Sequence, residues 1–167
     1  MKKQMSLFIA VVMMVSIVPA SLLHVYATVS LDASSLTNYA HAYWQNYNSN
    51  YSNYNSIGGD CCNFVSQCLH AAGLPMDDNW YWYSYSNRSG SWTVCSNLKN
   101  FLVNSYGCDV ISSPSASQIE VGDVLYYGGG SHVGICCEVI NGQPWIMLRP
   151  LIYLLQRIKA TMQKTAR

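Results

Sequence analysis

The stretch GGDCCNFVSQCLHAAG, residues 58–73, decides the fold of this chain. Two glycines predict a turn, and Asp60 is a residue type that caps a helix by accepting hydrogen bonds from first-turn N–H groups. Apolar residues then recur at the three- and four-residue spacing of one buried helix face. They are Cys61, Phe64, Val65, Cys68, Leu69 and Ala72. Gly73 and Pro75 end the pattern, so the stretch predicts a buried helix that begins at Cys61.

A cysteine at the first position of a helix has a special electrostatic environment. The helix N-terminus carries partial positive charge and unpaired N–H groups. Both favour a thiolate, and such positions can lower a thiol pKa from about 8.5 to roughly 3.5–7.5. The same N–H groups can hold the oxyanion of an attacked carbonyl. Cys61 is therefore a candidate nucleophile, and the alternative is a buried cysteine that only packs as a small hydrophobe.

The first 27 residues have the pattern of a secretory signal peptide. Lys2 and Lys3 precede an apolar segment over residues 5–23, and residues 25–27 offer a small-residue cleavage site. We expect cleavage, secretion of the protein, and no stable membrane association afterwards. The alternative is an uncleaved membrane anchor, because the apolar segment approaches spanning length.

Composition argues against nucleic acid as a partner and against a zinc site. The chain has 167 residues, a net charge of +1 and only 10% charged residues, so no basic surface for nucleic acid is expected. All seven cysteines follow residue 27, where disulfides are permitted, and an odd number leaves at least one thiol unpaired. Their spacing does not pair two C-x-x-C motifs, so no zinc site is predicted. No cofactor is expected either.

Helical patterns dominate the first part of the chain. Asp32 is expected to cap a first helix with an aromatic face, and residues 92–103 predict another. Residues 75–91 form a long polar loop rich in Trp and Tyr, and such loops are often functional. Its rings either stack on sugars or fold back onto the core.

Strand patterns follow in the second part. A turn followed by a strand is predicted over residues 121–127, and two further strands are predicted over residues 132–140 and 144–148. Asn141-Gly142 predicts a hairpin between the last two strands. Within the middle strand we expect two faces. One holds Val133, Ile135, Cys137 and Val139, and the other holds His132, Gly134, Cys136 and Glu138. Helices first and a small antiparallel sheet later predict an α+β fold.

His132 begins the middle strand directly after a glycine-rich loop. Histidine is the usual base for a thiol nucleophile. A cysteine early in the chain and a histidine later, distant in sequence but close in space, is the arrangement of a cysteine hydrolase. We therefore predict that Cys61 and His132 form a catalytic dyad. The alternative for His132 is a strand-end residue bonded to water or backbone.

These residues carry a resemblance to a known family. Residues 58–69 resemble the signature GGDCTNFVSQ of the secreted bacterial proteins called the putative amidase domain family, and the likeness continues over about residues 36–146. The resemblance implies a papain-like cysteine hydrolase fold, with N-terminal helices packed on a small antiparallel sheet. It implies Cys61 as nucleophile, His132 as base, and a peptide or peptidoglycan-type substrate at the cell wall. The domain would span residues 28–146.

The first departure from the family is Cys62, which stands where the family usually has Thr or Ser. Cys62 creates a choice of nucleophile. We select Cys61, because it follows Asp60 directly, as in the family, and begins the apolar stripe.

The second departure is the tail, residues 147–167. It replaces a polar segment that would be expected to hold the residue orienting the base histidine. It carries five of the nine Lys and Arg residues, and no Asp or Glu follows Glu138. A frameshifted or truncated gene would explain the break, and a genuine amphipathic tail is the alternative.

These observations predict a secreted cysteine-dependent amidase or peptidase, weakened or inactive if the tail has replaced a required segment. The alternative is a non-catalytic, secreted cell-wall-binding module, suggested by the aromatic loop and by the missing orienting residue.

Overall fold

The computed structural model describes residues 29–149, so the predicted signal peptide and the tail from residue 150 lie outside the described residues. Four helices precede a three-stranded antiparallel sheet of order β1-β2-β3. The helices are α1 Ala33–Tyr43, α2 Cys61–Ala71, α3 Gly90–Thr93 and α4 Cys95–Tyr106. The strands are β1 Val124–Tyr127, β2 His132–Ile140 and β3 Gln143–Leu148. The α+β prediction is confirmed.

Helix α1 begins where the sequence predicts. The Asp32 carboxylate accepts a hydrogen bond from the Ser34 N–H at 2.9 Å, which caps the helix. Thr37 Oγ1 donates to the Cys137 carbonyl at 2.5 Å, and this bond attaches the helix to β2.

Helix α2 is the centre of the core. All six residues of the predicted apolar stripe are buried, but so is every other residue from Cys61 to Leu69. The polar ones are satisfied by hydrogen bonds, as buried polar groups require. Ser66 Oγ donates to the Trp92 carbonyl at 3.0 Å, and Gln67 Oε1 accepts from Tyr39 OH at 2.7 Å. The helix is therefore enclosed on all sides from Cys61 to Leu69.

Two predicted features of the middle segment differ in the structure. The single helix expected over residues 92–103 is two helices, because Val94 has an extended conformation (φ −115°, ψ 121°) between them. In the aromatic loop Trp80 folds back and is fully buried, with its ring 4.5 Å from that of Trp92. Tyr83 in the same loop is 66% exposed.

The sheet follows the predicted strands, and the hairpin is confirmed. Asn141 and Gly142 both have positive φ, 53° and 73°, as a tight hairpin turn of this kind requires. A β-bulge between Cys136 and Glu138 shifts the register. The predicted faces are therefore wrong beyond the bulge, since Val139 is 41% exposed.

Strand β3 continues past the predicted domain boundary at residue 146. Met147 and Leu148 pair with Ile135 and Gly134 of β2, and both are buried. A Cβ atom on Gly134 would collide with the Leu148 side chain, so the glycine allows the two strands to pack closely. Residues that the sequence assigned to the tail thus complete the sheet.

Within residues 29–149, every helix is too short or too polar to span a membrane.

Candidate active site

The turn before α2 depends on two glycines. Gly58 and Gly59 have φ of 131° and 110°, a backbone region that other residues adopt only with strain. The turn places Asp60 at the N-cap position and Cys61 at the first helical position. This part of the signature therefore positions the N-terminus of α2.

Asp60 occupies the N-cap position of α2, but the expected hydrogen bonds from the first-turn N–H groups to its side chain are not formed. Its buried carboxylate makes no hydrogen bond to the first-turn N–H groups. It accepts instead from the Tyr54 N–H at 3.0 Å and Asn63 Nδ2 at 2.8 Å, and it pairs with Arg149 Nη1 at 2.9 Å. A buried carboxylate is costly unless it is paired and hydrogen-bonded, which explains why it turns toward these donors.

The fold brings Cys61 and His132 together. Cys61 is 5% exposed in the first turn of α2, and His132 is half-buried at the start of β2. The backbone of Val133 and the side chain of His132 lie close enough to Cys61 to act on its thiol, and each lowers the pKa of Cys61. The two residues predicted as a dyad therefore lie within reach of one another, which their 71-residue separation along the chain did not guarantee.

A third residue, Cys95, changes the expected ionisation of Cys61. The two sulfur atoms lie 3.8 Å apart. The hydrogen bond with Cys95 and then burial raise the pKa of Cys61, and they outweigh the effects of His132 and Val133. The direction is therefore opposite to the lowered pKa expected from the helix N-terminus alone.

Cys95 was missed by sequence reasoning, because nothing in its local pattern predicts contact with α2. It is half-buried at the first position of α4, and its thiol contacts the Ser131 carbonyl at 3.9 Å. The hydrogen bond with Cys61 lowers the pKa of Cys95, but interactions with Cys62 and burial outweigh it and raise that pKa to about 11. Cys95 thus lies between the nucleophile candidate and the segment that carries His132.

Cys62 and Tyr126 complete the surroundings of Cys95. Cys62 is 1% exposed and therefore less accessible than Cys61. The hydroxyl of Tyr126 is buried and has no hydrogen-bond partner among the described residues. Burial, and then the nearby Cys62 and Cys95, raise the pKa of Tyr126. A neutral phenol beside the thiols is a free donor, and sequence reasoning did not find it.

An orienting partner for His132 is not visible among residues 29–149. Ring hydrogen bonds are formed there by His41, to Glu138, and by His70, to the Leu74 carbonyl. The described part of the tail supplies the apolar Met147 and Leu148 to the sheet. The described residues thus contain a Cys–His pair without a third polar member.

A cavity lies away from this pair, at the other end of α2. It has a volume of about 430 Å³ and is lined by Tyr51, Gln67, His70 and Trp82, among others. His70 is in the last turn of α2, whereas Cys61 is in the first. The cavity and the thiols are therefore separate features. In the described part of the chain no group of three or more His, Cys, Asp or Glu residues is arranged to hold a metal ion.

Comparison with known proteins gives one family. The model of the putative amidase domain family matches residues 30–142, which include Cys61, Cys95 and His132.

Two proteins of Bacillus subtilis (strain 168) are similar in sequence. The uncharacterized protein YhbB is 36% identical over 102 residues, and the uncharacterized protein YjcM is 29% identical over 98 residues. Each alignment covers 58% of this chain, but only 32% of YhbB and 22% of YjcM. The chain thus matches about a third and about a fifth of these relatives. No solved structure matches it.

Proposed function

This chain belongs to the putative amidase domain family, and from this premise we propose that it is a secreted, papain-like cysteine hydrolase of amide bonds. The nucleophile is Cys61 and the base is His132. The observation that carries this proposal is the position of the Cys61 thiol, in the first turn of α2 and under the direct influence of the His132 side chain. A histidine beside a cysteine thiol is the arrangement that nucleophilic catalysis by cysteine requires, which supports the proposal.

The reaction follows from this geometry. His132 removes the thiol proton as the Cys61 sulfur attacks the carbonyl carbon, and the developing oxyanion is held by the N–H of Cys61 at the helix N-terminus. His132 then gives the proton to the leaving amine, and the C–N bond breaks. Water, deprotonated by His132, hydrolyses the thioester and frees the carboxylic acid product and the thiol.

The raised pKa of Cys61 constrains the mechanism. A resting thiol requires proton removal during attack, in contrast to a stable thiolate–imidazolium pair. Asp60 leaves the first-turn N–H groups of α2 to the oxyanion, because its carboxylate is committed to other donors. The raised pKa is consistent with proton removal by His132 during attack, and the free N–H groups support stabilisation of the oxyanion.

Peptidoglycan is the substrate we propose, on the basis of the family resemblance and the expected secretion. The test is release of peptide or amino sugar fragments from purified cell wall by the mature protein. Cys61→Ala should abolish release, and Cys62→Ser is the matched control, since it changes the adjacent thiol. Equal release by Cys61→Ala and the unchanged protein would refute the assignment.

A non-catalytic cell-wall-binding module is the second candidate, and the cavity at the end of α2 favours it. The rings of Tyr51 and Trp82 lie 4.8 Å apart at this cavity, beside the Gln67 amide, and aromatic faces with amide groups can bind sugars. A protein that sediments with cell wall but releases nothing, and whose sedimentation is lost in Trp82→Ala, would support this function. Trp145→Ala is the control, because Trp145 is exposed and outside the cavity.

An uncleaved membrane anchor remains the alternative to the proposed secretion. Mass spectrometry of protein recovered from culture medium tests it directly. A first residue of Thr28 would establish cleavage and secretion. A protein found in the membrane fraction with residues 1–27 still attached would refute the proposed secretion.

A further inference from the structure

Cys95 has no role in the proposed reaction, yet its thiol contacts the thiol of the proposed nucleophile, Cys61. We propose that Cys61 and Cys95 form a reversible disulfide, which makes the pair a site of oxidative modification by small-molecule disulfides. The consequence that this bond switches the hydrolase off rests on the proposed role of Cys61. The formation of the bond itself does not.

Distance supports the pairing. The Cys61 and Cys95 sulfur atoms are 3.8 Å apart, already in contact, and a disulfide bond requires them to approach to about 2 Å. Cys95 lies directly after Val94, whose extended backbone separates α3 from α4. A small adjustment at this junction, or a rotation of the side chains, can close the remaining gap.

Accessibility decides the order of steps. Cys61 is 5% exposed, whereas Cys95 is half-buried and can meet a dissolved reagent. The Cys95 thiolate attacks one sulfur of glutathione disulfide, so a Cys95–glutathione bond forms and one glutathione thiolate leaves. The Cys61 thiolate then attacks the Cys95 sulfur, and the second glutathione leaves. The two protein thiols lose two electrons, the glutathione disulfide gains them, and the two released protons go to the two glutathione thiolates.

Ionisation sets the pH dependence of this exchange. The pKa of Cys95 is raised to about 11, so only a small fraction is thiolate at pH 7. The attacking species is the thiolate, and oxidation should therefore become faster as the pH rises from 7 to 9. In the disulfide, Cys95 would have no S–H group, so it could no longer donate to the Ser131 carbonyl or share a hydrogen bond with Cys61.

Peptide mapping of the full chain tests the proposal with glutathione disulfide as the probe. Trypsin releases residues 89–99, which carry Cys95, separately from the preceding peptide, which ends at Arg88 and carries Cys61, Cys62 and Cys68. We expect a disulfide link between these two peptides, reversed by dithiothreitol, with loss of iodoacetamide labelling at Cys61. Cys61→Ser should leave only a glutathione adduct on Cys95, whereas Cys62→Ser should keep the link.

The outcomes separate this inference from the proposed function. A link that persists in Cys61→Ser and is lost in Cys62→Ser would overturn the proposal, because Cys62 also acts on the Cys95 thiol. A glutathione adduct on Cys95 with no link in the unchanged protein would overturn it too. A link without measurable hydrolysis of cell wall would support the disulfide while the proposed function fails.

Discussion

The guanidinium Nη1 of Arg149 lies 2.9 Å from Oδ2 of Asp60, and the two side chains are almost completely buried. Asp60 immediately precedes the candidate nucleophile, and Arg149 immediately follows the last strand. The guanidinium also donates to the Asn46 carbonyl at 2.6 Å and lies over the Tyr47 ring at 4.3 Å. The end of the sheet is therefore bound directly to the N-terminus of α2.

Loss of this pair should destabilise the protein strongly. Arg149→Ala leaves a buried carboxylate without its cation, which costs about 3–5 kcal/mol of unfolding free energy. Urea unfolding measures it. Lys99→Ala is the control, since it removes a positive charge from an exposed position of α4. An Arg149→Ala protein that unfolds at the same urea concentration as the control would contradict this role of the pair.

Removal of Cys95 should make Cys61 more reactive. The hydrogen bond with Cys95 is the largest cause of the raised pKa of Cys61, so Cys95→Ala lowers that pKa. Each unit of decrease gives about tenfold more thiolate near pH 7, partly offset by lower intrinsic nucleophilicity, for a net gain of about threefold. The rate of iodoacetamide labelling is measured from pH 6 to 10, and labelled Cys61 is identified by peptide fragmentation. The curve of rate against pH should be shifted to lower pH in Cys95→Ala. An unshifted curve would contradict it.

Tyr126→Phe should not reduce stability. The Tyr126 hydroxyl is buried without a partner among the described residues, and such a group costs about 1–3 kcal/mol. Its removal should leave Tm unchanged or raise it. Tyr39→Phe is the matched control, because the Tyr39 hydroxyl donates to Gln67 at 2.7 Å and its loss should lower Tm. A lower Tm for Tyr126→Phe than for Tyr39→Phe would be inconsistent with an unpartnered hydroxyl.

Asp32 should contribute stability that acid removes. Hydrogen bonds from Ser34 and then Ser35 lower its pKa from 3.8 to about 2. Because the folded pKa is lowered, the contribution is fully present above about pH 4 and is lost as the pH falls toward 2. Ser35→Ala removes one donor and should shift this loss to higher pH, measured by urea unfolding between pH 2 and 6. Equal pH profiles for the two proteins would argue against the capping bonds.

Within the tail, residues 147–149 should be needed for stability and residues 150–167 should not. A chain ended after Arg149 keeps β3 and the buried ion pair, and we expect it to unfold at the same urea concentration as the full chain. A chain ended after Ile146 loses Met147, Leu148 and Arg149 and should be much less stable. If ending the chain after Arg149 is equally damaging, the prediction that residues 150–167 are foreign to the fold fails.

The proposal that the tail weakens the hydrolase needs a separate experiment. Resequencing of the locus tests for a frameshift. An intact reading frame, together with cell-wall hydrolysis as fast as that of longer relatives with the polar segment, would refute it.

Local sequence determined the elements of this protein. The spacing of apolar residues predicted α2, Asp32 predicted the start of α1, and Asn141-Gly142 predicted the β2–β3 hairpin. Each depends on groups a few residues apart, whose interactions follow from backbone geometry. The choice of Cys61 and His132 came from residue chemistry and the family signature.

Only the tertiary structure decided the surroundings of these elements. Cys95 is 34 residues from Cys61, and Arg149 is 89 residues from Asp60, yet each pair is in contact. Periodicity describes which side of an element is apolar, but it does not state what packs on the other sides, and so it missed the burial of every α2 residue from Cys61 to Leu69. The ionisation of Cys61 depends on those neighbours, because burial and a second thiol raise its pKa more than the local groups lower it.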